Sequence, residues 1–132
     1  MKTEAHDALL LFSKALKRLA EALAEDRSNP LAIDGSIQRF KFSFDLGWKL
    51  LKKVLMDMEG IEALSPKKAL LVAYQLGWLS DEEAWLKMLN DRNLTSHTYR
   101  EEYALEIYSR LPRHFESMQQ LEQRIKTILC DK

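Results

Sequence analysis

The chain has 132 residues, 20 Lys+Arg against 20 Asp+Glu, 46% apolar and 30% charged residues. That is the balance of one globular domain over 1–132, long enough to bury a core without covalent staples. A single cysteine, Cys130, excludes an internal disulfide framework and any multi-cysteine zinc site. Zero net charge gives no overall pull toward nucleic acid, so a surface that binds RNA has to be a local patch. No stretch approaches ~18 uninterrupted apolar residues. The first residues, among them Glu4, His6 and Asp7, lack a signal-peptide pattern. A cytoplasmic location is the expectation.

Four Gly and three Pro in the whole chain predict few, long elements. The first runs from about Thr3 to Glu25, where Leu9, Phe12, Leu16, Leu19 and Leu23 recur at alternating spacings of three and four, one stripe of a helix. The segment Asp26-Arg27-Ser28-Asn29-Pro30 breaks that pattern. A second helix is expected over about Asp34 to Glu59, capped by Asp34 or Ser36 and stopped by Gly60. Ile37, Phe40, Phe44, Trp48, Leu51, Leu55 and Met58 form its main stripe. Phe42 and Leu46 lie well off it, so this helix needs a second apolar partner, another helix or another chain.

Ser65-Pro66 opens a third, shorter helix that ends at Gly77. Ser80 or Asp81 caps a fourth, with Ser80 and Glu83 at capping-box spacing, and Trp85, Met88 and Leu89 on its inner face. The last helix spans about Arg100 to Leu129, with Ile107, Leu111, Phe115, Met118, Leu121, Ile125 and Ile128 in a three-four rhythm. Pro112 inside it is expected to kink it. The prediction is an all-α, antiparallel up-and-down bundle of about five helices.

The chemistry-bearing types gather between Asp91 and Tyr99. Arg92 stands five residues before His97 and Asn93 four before it. On a helix Asn93 and His97 share a face and Arg92 lies about 140° away, so the group converges better if the helix frays near Thr95–Ser96. A histidine can take or give a proton near neutrality. An arginine fork suits a phosphate that gains charge in a transition state. Asn93 can orient the imidazole or hold a substrate oxygen. The set fits cleavage of an RNA phosphodiester without metal or cofactor, the 2′-hydroxyl being the internal nucleophile. That reaction wants both an acid and a base, and one chain supplies one such histidine. A two-fold dimer supplies the second. A capping or hydrogen-bonding role for His97 at a helix end is the alternative.

Arg92-Asn93-Leu94-Thr95-Ser96-His97-Thr98-Tyr99 resembles the Arg-x4-His-x-Tyr signature of the HEPN superfamily, in particular its nucleotidyltransferase substrate-binding branch, the HepT-like partners of minimal nucleotidyltransferases. Gln38 to Lys49, with Asp45-Leu46-Gly47-Trp48-Lys49, is similar to that branch's second-helix block. Ser65-Pro66 and Trp85 to Asp91 also agree with it. The likeness spans about Ala8 to Leu129. Gly47 stands where Ala is common and Lys41 where an acidic residue is frequent. The resemblance implies a dimerising helical bundle with two signatures facing one cleft, and a nucleotidyltransferase partner. In HepT-like toxins Arg92 and His97 would be the ribonuclease pair. Tyr99 would accept adenylyl groups from the antitoxin partner, whose bulk and charge would block the cleft.

Asp45, Trp48 and Lys49 are candidate supporting residues. Set against that role is a core Trp flanked by an i,i+4 Asp–Lys pair. Two functional readings follow: a metal-independent ribonuclease toxin acting on RNA, or a non-catalytic substrate-binding subunit of a nucleotidyltransferase.

Overall fold

The structure is a computed structural model that describes residues 3–97 and 100–130. Five α-helices follow in order: α1 Glu4–Leu23, α2 Pro30–Glu59, α3 Pro66–Gln75, α4 Glu82–Leu94 and α5 Glu101–Cys130, with a 3-10 turn at Thr95–His97 between the last two. Among the described residues there is no strand. The three long helices pack on one another, α1 on α2 and α5 on both, while α3 sits on α2 and α4 wedges between α3, α5 and α2. The architecture is the all-α antiparallel bundle that the hydrophobic periodicity predicts. No described helix is long and apolar enough to cross a membrane.

One helix end departs from the sequence reading. The second helix begins at Pro30, four residues before the expected start, and neither Asp34 nor Ser36 caps it. Asn29 does, its side chain accepting from the Leu31 N–H at 2.9 Å. Proline, read as a breaker, is here the first helical residue, where its fixed φ suits the helix and its missing N–H costs nothing. Of the two expected caps of α4, Asp81 is the one used, accepting from the Ala84 N–H at 3.1 Å. Gly60 and Gly77 take left-handed φ values of 66° and 79° and end their helices as expected. Pro112 lies on the exposed side of α5, which continues through it to Cys130.

The core is built from Phe12, Leu16 and Leu19 of α1, Phe40, Phe44, Leu51 and Leu55 of α2, and Ile107, Leu111, Met118 and Ile125 of α5, all buried. Leu50 and Val54 are sealed as well. The second apolar side of α2 is therefore covered within the chain along its C-terminal half, whereas Phe42 stays 44% exposed. Gly47 is needed where α2 crosses α1. A Cβ there would meet Phe12 Cε1 at 2.9 Å, so the glycine makes room for an aromatic ring of the neighbouring helix.

Candidate functional site

The last turn of α4 carries two oppositely used charges side by side. Trp85, Met88 and Asp91 are spaced by three and all buried, so the inner stripe of α4 ends in a carboxylate. Asp91 is fully buried among charge-matched donors from α5. Arg110 donates to it through Nε and a terminal nitrogen, both at 2.7 Å, and His114 Nε2–H donates at 2.7 Å. The His114 ring, itself buried, stacks on Phe40 of α2 with centroids 5.4 Å apart. Burial pushes the Asp91 carboxyl toward its neutral form, but the His114 and Arg110 hydrogen bonds and charges outweigh it and hold the pKa down to about 2. The same contacts raise the Arg110 pKa. This cluster ties α4 to α5 and, through Phe40, to α2.

One residue on, and about 100° around the helix, Arg92 emerges at the edge of the core. Its guanidinium is gripped from α2 by Asp45, Nε to Oδ1 at 2.9 Å and a terminal nitrogen to Oδ2 at 3.3 Å. Both side chains keep contact with solvent, 34% for Arg92 and 25% for Asp45. Asp45 is thus the partner of Arg92, not of Lys49 as the helix spacing suggested. The fork leaves one edge of the guanidinium toward water.

Leu94 ends α4, and Thr95–His97 tighten into the 3-10 turn where fraying was expected. The Thr95 hydroxyl donates at 2.6 Å to the Arg92 carbonyl, which also accepts from the Thr95 N–H, and the Ser96 hydroxyl donates to that of Asn93 at 3.1 Å, which closes the helix end. Asn93 and His97 are exposed. Arg92 and His97 are separated by roughly 8–9 Å along this stub. Thr98 and Tyr99 lie outside the described residues. Trp48 is half-buried against the core and Lys49 exposed. Among the described residues no three His, Cys, Asp or Glu side chains gather as a metal-binding group.

Sequence reasoning missed Asp91, Arg110 and His114. Two signals pointed to them: Asp91 continues the Trp85–Met88 stripe, and Arg110 and His114 stand four apart flanking Leu111 of the α5 stripe. The stripe was drawn through Phe115, which is only half-buried, while His114 is sealed.

The family profile described as nucleotidyltransferase substrate binding protein like matches residues 8–127, almost the whole bundle. The chain belongs to that family. It is 34% identical over 83 residues to a Haemophilus influenzae protein named probable ribonuclease HepT. That match covers 60% of this chain and spans 57% of the relative's length. A solved structure from Thermus thermophilus superposes with a TM-score of 0.82 at 38% identity, covering 86% of this chain and 98% of the other. A tri-AMPylated HEPN toxin of Shewanella oneidensis in complex with MNT antitoxin superposes at 0.78 over 96% of this chain and 99% of the toxin. At 14% identity that likeness shows the shared fold alone.

Proposed function

We propose that this HEPN protein is a metal-independent ribonuclease toxin, held in check by a partner nucleotidyltransferase that adenylylates Tyr99. The observation that carries the reading is the half-exposed Arg92 guanidinium, preset by two hydrogen bonds to Asp45, beside the exposed Asn93 and His97. A scaffold needs no such set at the end of a helix. A phosphodiesterase does: the arginine faces the equatorial phosphate oxygens as charge builds on them. The imidazole takes the proton from the 2′-hydroxyl as that oxygen bonds to phosphorus. The bond from phosphorus to the 5′ oxygen then breaks, leaving a cyclic 2′,3′-phosphate, and the departing oxygen needs a proton from an acid. A second copy of His97 would supply it.

The unpartnered apolar surface supports such a homodimer. Phe42, Leu11, Ala15 and Leu46 line a shallow groove between α1 and α2, edged by Lys14, Arg18 and Arg39. Phe42 also borders a depression of about 300 Å³ that reaches Thr95, so a copy seated there lies next to the signature. A phosphoryl-linked nucleotide on Tyr99, two residues from His97, would place bulk and negative charge beside the cleft, which is the physical logic of neutralisation. The second reading, a non-catalytic subunit that presents substrate to a nucleotidyltransferase, has the family's own description in its favour.

Expression of the chain alone, with and without His97→Ala, followed by incubation of the pure proteins with RNA in EDTA, separates the two. Toxicity and cleavage by the parent and neither by the variant are expected. Identical behaviour on both counts leaves the substrate-binding reading. Intact mass after incubation with an active partner and ATP tests Tyr99, and an unchanged mass rejects the adenylylation step.

A further inference from the structure

We propose that the groove on α2 beyond Asp45 is a nucleotide subsite for single-stranded RNA flanking the cleaved phosphate, with Trp48 as stacking platform and Lys49 and Lys52 as phosphate ligands. This rests on the ribonuclease reading and adds where the substrate lies. Asp45, Lys49, Lys52 and Met56 are spaced by four, three and four, so they form one continuous line along α2. The line starts at the carboxylate that grips Arg92. Trp48 to Lys52 lie one to two turns, about 5–10 Å, along the axis from Asp45. A strand with its scissile phosphate on Arg92 reaches that distance with its neighbouring nucleotide.

The groove itself has the parts. It encloses about 460 Å³ between Trp48, Lys49, Lys52 and Met56 on α2 and the start of α1. The Trp48 indole is packed on one side against the core, so little freedom is lost when a base stacks on it. Its other face is not bare: Lys52 Nζ stands 5.9 Å from the ring centroid. An ammonium there is a stand-in that a base can displace, after which the lysine turns to the adjoining phosphate. Lys53 is occupied by Glu4 at 3.4 Å, whereas no hydrogen bond among the described residues engages Lys49. Asp57 and Glu62 stand at the far end of the groove and repel further phosphates, which limits the subsite to one or two nucleotides. The mid-chain patch is how a protein of zero net charge holds an anionic strand.

Binding is measured on the His97→Ala protein, which retains the substrate uncut, by fluorescence anisotropy of a labelled single-stranded RNA across a salt series. The exposed pair Lys49→Ala/Lys52→Ala, which leaves the core intact, is expected to weaken binding about tenfold and to flatten the salt dependence by about 1.4 in log–log slope, ~0.7 per lost phosphate contact. Trp48→Ala is expected to cost about tenfold or more, with Trp48→Phe restoring part of it. On the parent protein the same changes should raise KM more than they lower kcat. RNA affinity and slope that stay unchanged in the double variant, with cleavage by the parent intact, overturn the subsite and leave the ribonuclease standing. Loss of partner binding without loss of RNA affinity assigns the groove to the nucleotidyltransferase and also overturns it. A parent that neither binds nor cuts RNA removes both readings.

Discussion

Asp91 and Asp45 each hold an arginine through two hydrogen bonds, on either side of the same helix end, yet the two forks do different things. Asp91 is sealed from water and gains a third donor in His114. Its charges were desolvated when the chain folded, and opening the cluster would strand a buried carboxylate. Asp45 and Arg92 remain in touch with solvent. Water competes for both partners, so the pair can open or turn to a phosphate at little cost. Burial, rather than the chemistry of the pair, separates a structural clamp from an ion pair left within reach of solvent. The clamp also fixes the helix turn from which Arg92 projects.

The comparison can be broken in order of expected effect. Asp91→Ala leaves Arg110 and His114 without their acceptor and should cost about 3–5 kcal/mol, seen as a large drop in the urea midpoint. A loss under about 1 kcal/mol would show that the cluster is not a clamp. Acid should act on the same residue. Asp91 binds its proton less readily folded than unfolded, with a pKa of about 2 against 3.8. Its contribution, about 2 kcal/mol, is therefore complete above the unfolded value and lost as pH falls from about 4 to 2. Denaturant melts over that range should show the decline, and Asp91→Asn should flatten it. Asp45→Ala, by contrast, should change stability by about 1 kcal/mol or less while lowering RNA cleavage, because Arg92 loses its preset orientation. A stability loss equal to that of Asp91→Ala would erase the distinction. Ser36 sharpens the rule from the other side: its hydroxyl is fully buried on α2 with no hydrogen-bond partner among the described residues. Ser36→Ala should raise stability by about 0.5–1 kcal/mol, measurable as a small increase in Tm.

Much of this was legible along the chain. The spacing of Phe12, Leu16 and Leu19, or of Ile107, Leu111 and Met118, specifies helices because a period near 3.6 puts them on one side whatever they pack against. The stops at Gly60 and Gly77 were equally plain, since a left-handed turn selects glycine. The stretch from Arg92 to His97 stood out by residue type and by the weak helix formers within it. Asn29-Pro30 misled because the same dipeptide ends one pattern and begins another, and only the hydrogen bond to Leu31 decides which.

The sequence by itself determined the helices, their apolar faces and the membership of the nucleotidyltransferase substrate-binding family, because periodicity, caps and a local signature are properties of neighbours in the chain. Tertiary structure alone decided which carboxylate each arginine meets. Asp45 lies 47 residues from Arg92 and Asp91 lies 19 from Arg110, so no local spacing predicts either pair. Lys49, one turn from Asp45, lost to an arginine on another helix because α2 and α4 pack with those two side chains face to face.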